Sequence, residues 1–160
     1  MRLPEVRVDS FQAYIVWVYS GKVSVNVNES PSSAVDKASV ELNETTELYL
    51  LGDFLGDLQL RNAAMRTWVL KSKVWGIQPT SSLIKKVWDS TPPGSLFRKM
   101  IFDHTIMRFE RGAFEKDSAN YPKELLHSIA VTLMHKAHGA DCETFIAGLD
   151  GYLEPDVSSD

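Results

Sequence analysis

His135, His138 and Cys142 are the most chemically suggestive group in this 160-residue sequence. Zinc takes nitrogen and sulfur ligands and usually draws them in closely spaced pairs. His135 and His138 stand three apart, on one face of a would-be helix, and Cys142 follows just past Gly139. A fourth ligand would have to come from Asp141 or Glu143. The same residues have a plainer use. Histidines near a helix C-terminus complement its dipole, and a lone cysteine behaves as a small hydrophobe. The expectation is therefore no metal centre, with these three residues as the candidates for a zinc-binding alternative. Nucleophile and base pairs are weaker still. Asp103-His104 and His127-Ser128 are sequence neighbours, and adjacent residues do not face each other on a helix. The sequence holds no Gly-x-Ser-x-Gly elbow and no His-Glu-x-x-His motif. Ser20-Gly21-Lys22 lacks the upstream glycine that a phosphate loop needs. Gly52 and Gly56 sit among leucines of helical spacing and read as helix-packing or helix-ending glycines. No catalytic residue and no cofactor is expected, and the chain reads as a non-enzyme.

The elements that would position any such group are those of a globular protein. Hydrophobic residues make up 44% and charged residues 24%, enough apolar surface for a packed core. The net charge is -4 and the basic residues are scattered, which leaves no footprint for phosphate and argues against a nucleic-acid partner. One cysteine allows no intrachain disulfide. No signal-peptide core and no apolar run of spanning length is visible, so an intracellular compartment and no membrane association are expected.

Residues 2–8 read as a short extended piece, with Pro4 blocking an early helix. Phe11, Tyr14, Ile15 and Val18 then recur at helical spacing behind Asp9 or Ser10 as a cap, and Gly21 stops the helix. Lys22 to Val27 alternates in the manner of a half-buried strand. Residues 28–43 are rich in Ser, Asn and acids and predict a loop. A helical hairpin follows: Leu48, Leu51 and Leu55, a break at Gly56-Asp57, then Leu60, Ala63, Ala64, Thr67 and Trp68. Thr80 or Ser81 caps a short helix with Leu83, Ile84, Val87 and Trp88 inward, ended by Pro92-Pro93-Gly94. Residues 95–110 predict a helix burying Phe97, Met100 and Ile101, with His104 a candidate for the same face. Residues 111–120 read as a polar loop. Pro122 starts a longer helix with a stripe of Leu126, Ile129, Ala130, Leu133 and Ala137. A short helix around Cys142–Ala147 and an acidic tail complete the chain.

Several of these blocks resemble one family. Phe11-Gln12-Ala13-Tyr14-Ile15-Val16-Trp17-Val18-Tyr19-Ser20-Gly21 is similar to a helix of BTB/POZ domains. Leu48-Tyr49-Leu50-Leu51-Gly52-Asp53-Phe54-Leu55-Gly56-Asp57, with Leu60-Arg61-Asn62-Ala63, resembles the helical hairpin that follows it in that family. Leu3-Pro4-Glu5-Val6 resembles the short strand and turn that lead in. Thr91-Pro92-Pro93-Gly94-Ser95 and Tyr121-Pro122-Lys123-Glu124-Leu125 look like segments of the fungal members. The resemblance spans roughly residues 2–138. The family's first half, with its opening strand, helix and central sheet hairpin, has no counterpart here. Family homodimers rest largely on that half, and the hydrophobic-x-acidic motif through which adaptor members contact cullins lies outside this chain.

The resemblance implies a mainly α fold: the C-terminal half of a BTB/POZ domain over 1–75, a helical extension over 76–150 and a flexible acidic tail over 151–160. It implies a protein–protein interaction module, as a substrate adaptor for a cullin-type ubiquitin ligase or a self-associating scaffold. A non-functional truncated product is the remaining alternative beside zinc binding. Leu51, Leu55, Leu60, Ala64 and Tyr14 are the expected core. Phe11, Tyr14, Ile15, Val18, Leu48 and Leu51 are the candidates for an apolar face that a protein partner or a second copy would cover.

Overall fold

A computed structural model of the chain describes residues 7–24, 33–108, 111–134 and 148–153. These form two compact units, one within Met1–Ile77 and the other Gln78–Leu153. The fold is mainly α, and no strand occurs among the described residues.

The first unit holds α1 (Val8–Ser20), α2 (Ala34–Leu55) and α3 (Leu58–Trp75). α2 and α3 make an antiparallel hairpin whose turn follows from two residues. Gly56 takes the left-handed conformation (φ 71°) that glycine adopts without steric cost. Its amide donates to Asp53 O at 3.2 Å and that of Asp57 to Gly52 O at 2.8 Å, which closes α2 in a Schellman motif. Asp57 then starts α3, its Oδ1 accepting from Leu60 N at 2.9 Å. The two helices approach closely just below the turn. A Cβ added to Gly52 would lie 3.1 Å from Arg61 Cγ and 3.2 Å from Leu60 Cγ. Leu42, Leu48, Leu60, Met65 and Trp68 fill the core and are at most 1% exposed. Each such side chain contributes about 1.5–3 kcal/mol through burial.

Several expectations fail in this unit. Residues 34–43 are the first half of α2, not loop. Ser33 Oγ caps the helix by accepting from Asp36 N at 3.1 Å. Ala38 and Leu42 provide an apolar pair one turn apart, 0% and 1% exposed. The buried polar positions nearby are satisfied: Lys71 Nζ donates to Glu41 at 2.7 Å, and Thr45 and Thr46 donate to the carbonyls of Glu41 and Leu42. Of the expected strand, Lys22–Ser24 have no regular structure, and residues 25–27 lie outside the described residues. Val8, read as extended, is the first residue of α1. Leu51, Leu60 and Ala64 are buried, but Tyr14 is half-buried and Leu55 is 45% exposed. Leu55 is the last residue of α2, and α3 does not begin until beyond the turn.

The second unit holds α4 (Ser81–Ser90), α5 (Leu96–Met107), α6 (Arg111–Asp117), a 3-10 turn (Ser118–Asn120), α7 (Lys123–Met134) and a second 3-10 turn (Leu149–Tyr152). Thr80 caps α4 through Leu83 N, and Ser95 caps α5 through Phe97 N. Leu83, Ile84 and Val87 of α4, Phe97, Met100 and Ile101 of α5, and Leu125 and Ile129 of α7 form its core. Residues 111–120, expected as loop, are therefore a short helix and a 3-10 turn. Phe114 makes an edge-on ring contact with Tyr121 there, centroids 5.8 Å apart, which gives this polar stretch an anchor. The stripe of α7 is also rotated from the one expected. Leu125 and Ile129 are inside, while Ala130 and Leu133 are exposed and Leu126 lies between; Ala137 is outside the described residues. The tail is held at its start. Tyr152 is 6% exposed and its hydroxyl donates to Asp103 Oδ2 at 2.5 Å. Residues 154–160 lie outside the described residues.

Candidate functional site

α1 is attached to the hairpin by its narrow side. Ser10 and Ala13, three apart, are the buried residues of this helix, and Tyr14 and Trp17 continue the same side half-buried. Small residues here let α1 lie close to α2 but contribute little burial. Polar contacts hold the two ends instead. Arg7 donates to Glu44 Oε1 at 2.8 Å beside the first turn, and Trp17 Nε1 donates to Asp57 Oδ2 at 3.3 Å beside the last. Asp57 thus serves both the hairpin turn and the docking of α1.

The opposite side of α1 is apolar and open to solvent. Val8 is 72% exposed, Phe11 52%, Ile15 40%, Val18 57% and Tyr19 87%. Positions 8, 11, 15 and 18 follow alternating steps of three and four, which align them in one stripe along the helix. No charged side chain interrupts that stripe. Scattered single apolar residues on a surface are ordinary, whereas a contiguous row marks an interaction face.

The expected face is therefore divided. Phe11, Ile15 and Val18 are exposed on α1 and Tyr14 sits at the edge of its docking side. Leu48 (1% exposed) and Leu51 (6%) are in the hairpin core and are not available to a partner. They belong to the same periodicity that builds the hairpin, and the fold buries them. Val8 and Tyr19 extend the row and were missed. The spacing of Val8 from Phe11 carried the signal for the first, but assigning Val8 to an extended segment hid it.

The second unit contains two polar constructions, both structural in geometry. Arg98 is 8% exposed. Its Nε donates to Thr91 Oγ1 at 3.0 Å, Nη1 to Glu124 at 2.7 Å, and Nη2 to the carbonyls of Trp88 (2.6 Å) and Thr91. Its guanidinium carbon also lies 5.5 Å from the centroid of the Trp88 ring. The side chain thereby satisfies carbonyls at the C-terminal end of α4, where a cation also complements the helix dipole. His104 is 1% exposed on α5. Burial, and secondarily the charge of Arg108, lower its pKa from 6.5 to about 3 and keep the imidazole neutral. Its neighbour Asp103 instead takes Lys99 at 3.1 Å and the Tyr152 hydroxyl. The Asp103-His104 pair is thus split between surface and core. His127 is exposed.

His135, His138 and Cys142 lie outside the described residues. Among the described residues no group of three or more His, Cys, Asp or Glu side chains is arranged to hold a metal ion. No described helix is long and apolar enough to cross a membrane. Comparison with known proteins gives no matching family model, no similar curated protein and no similar solved structure.

Proposed function

We propose that this chain is a protein–protein interaction module and that the solvent-facing side of α1 is its contact surface. The observation that carries this reading is the uninterrupted row Val8, Phe11, Ile15 and Val18, exposed on a helix that is fixed at both ends. A fixed helix presents such a row in one orientation, which lowers the ordering cost of binding. Helix-in-groove and helix-on-helix recognition both use side chains at this spacing. The resemblance of the α1 and hairpin sequences to BTB/POZ domains supports the same reading. It also supplies the partner classes to test, a cullin-type ligase component or a scaffold assembled from copies of this chain.

The test compares the wild-type chain with a Phe11→Gln/Val18→Gln variant. Both are measured by light scattering alone and by titration with a purified cullin N-terminal domain. The expected result is a complex, with cullin or with itself, that forms with the wild type and is lost in the variant. A wild-type monomer that binds no cullin would overturn the reading, as would complexes indifferent to the two substitutions.

A further inference from the structure

The tethers that fix α1 also make its attachment conditional. We propose that α1 leaves the α2–α3 hairpin and unwinds in a single step while the hairpin stays folded, and that this step switches the apolar row on and off. The switching rests on the interaction-module reading and names the regulation of that same site.

Three observations lead there. The first is how little apolar burial holds α1. Ala13 is its buried apolar residue, with Tyr14 and Trp17 half-buried beside it. α2 packs far more extensively on α3 than on α1, so the hairpin has its own reasons to stay folded. The second is the polar side of the same contact. Ser10 is 2% exposed, and its Oγ has no hydrogen-bond partner among the described residues. Water would satisfy that hydroxyl in the open state, so its burial opposes docking. The tethers that favour docking are open to competition. The Arg7 side chain is 55% exposed, and the bond from Trp17 to Asp57 is long at 3.3 Å. The third is the helix itself. α1 has 13 residues, and a helix of that length is marginal in water without packing. Most of its residues are β-branched or aromatic, which favour helix only weakly. Its N-cap, Arg7, makes no side-chain capping bond. Off the hairpin α1 therefore loses its helix. Val8, Phe11, Ile15 and Val18 line up only at helical spacing, so the row exists only while α1 is docked.

Native-state hydrogen exchange on the full chain, read by mass spectrometry, measures the opening. In the wild type the amides of α1 should exchange roughly a hundredfold or more faster than those of residues 60–68 in α3. Ser10→Ala removes the unpaired hydroxyl and should slow exchange of α1 by roughly threefold. Glu44→Gln, on α2, removes the charge that Arg7 meets and should speed it by roughly threefold. Glu44 lies outside α1, so its effect cannot come from the helix propensity of α1. The α3 amides should be unmoved in both variants. α1 amides that exchange in step with α3, or that respond to neither substitution, would overturn the proposal. The regulatory half is read from the complex, with cullin or with itself, that Phe11→Gln/Val18→Gln abolishes. Glu44→Gln/Trp17→Phe weakens both tethers and leaves the row untouched. Its apparent affinity should fall in proportion to the closed fraction of α1 that exchange reports. Full affinity with α1 mostly open would overturn the switch and leave the interaction reading standing. Absence of any complex that depends on α1 would remove the interaction reading and the switch with it.

Discussion

In the first unit α1 turns Ser10 and Ala13 toward the hairpin and leaves Phe11, Ile15 and Val18 in solvent. In the second unit α4 does the reverse: Leu83, Ile84 and Val87 are at most 2% exposed, and Lys85 and Lys86 face out. Both helices are amphipathic and both begin or end on well-satisfied turns. They differ in what holds them. α4 is held by apolar burial, closed at its C-terminal end by the Arg98 guanidinium. α1 is held by small residues and two polar tethers. Apolar burial is the larger stabiliser per residue, and α1 leaves much of its apolar side out of the fold.

The same residue type in the two helices gives the sharpest contrast. Ile84 is 0% exposed and Ile15 is 40% exposed. Ile84→Ala removes fully packed atoms and should cost about 2–5 kcal/mol. Ile15→Ala, measured in dilute protein, should cost less than about 1 kcal/mol. Urea unfolding of the two variants checks both values. Equal losses would mean that α1 is packed through its apolar side and would undo the contrast.

The tethers come next in size. Arg98→Met keeps much of the aliphatic bulk but removes the donors that the carbonyls of Trp88 and Thr91 receive. Leaving those buried acceptors unpaired should cost about 2–4 kcal/mol. The Arg7 side chain is 55% exposed and its bond to Glu44 lies at the rim of α1. Solvent screens such a pair, so Arg7→Met should cost less than about 1 kcal/mol. A larger loss at Arg7 than at Arg98, in the same unfolding experiment, would show that the exposed Arg7–Glu44 contact is the stronger of the two.

Acid should also distinguish the units. His104 is buried in the second unit with its pKa lowered from 6.5 to about 3. The unfolded chain takes up a proton below pH 6.5 that the folded chain refuses until about pH 3. The stability due to neutral His104 is therefore full above pH 6.5 and is lost as pH falls through the window between those values. The slope in that window is about 1.4 kcal/mol per pH unit, or about 2 kcal/mol between pH 6.5 and 5. His104→Gln should flatten this part of the pH profile. A wild-type and variant pair with parallel profiles would show that His104 protonates freely in the folded state.

How far these features were legible in the sequence differs from element to element. The existence of α1, the hairpin break at Gly56-Asp57, and the cap of α4 were readable because each rests on local chemistry: a spacing, a glycine, a hydroxyl before an apolar run. The first half of α2 was not. Its buried positions include Glu41, Glu44, Thr45 and Thr46, which look like loop residues until Lys71, Arg7 and the helix's own carbonyls are found beside them. Hydrophobic periodicity cannot detect a helix whose buried face is polar and paired. The exposed apolar face was half legible for another reason. Periodicity shows that α1 has an apolar side but not whether the fold covers it. It groups Phe11 with Leu48 and Leu51 although the fold buries only the latter two. The stripe of α7 failed in phase, since Leu125 and Leu126 are adjacent and either could begin an inward series.

The smallest effect tests where the hairpin core ends. Leu55 continues the series Leu48 and Leu51 by one helical turn, and on spacing alone it belongs to the core. The structure leaves it 45% exposed at the end of α2, next to the left-handed Gly56. Its backbone is fixed by the Schellman hydrogen bonds of Gly56 and Asp57, which involve no side-chain atom of Leu55. Replacing it with alanine therefore leaves the turn intact and improves helix propensity slightly, against the loss of a half-exposed side chain. Leu55→Ala should change the unfolding free energy by less than about 1 kcal/mol, with a melting temperature within a few degrees of the wild type. A loss in the range of about 2–5 kcal/mol, as expected for a buried leucine, would show that a surface covers Leu55 in solution. The face left open on α1 would then extend across the top of the hairpin.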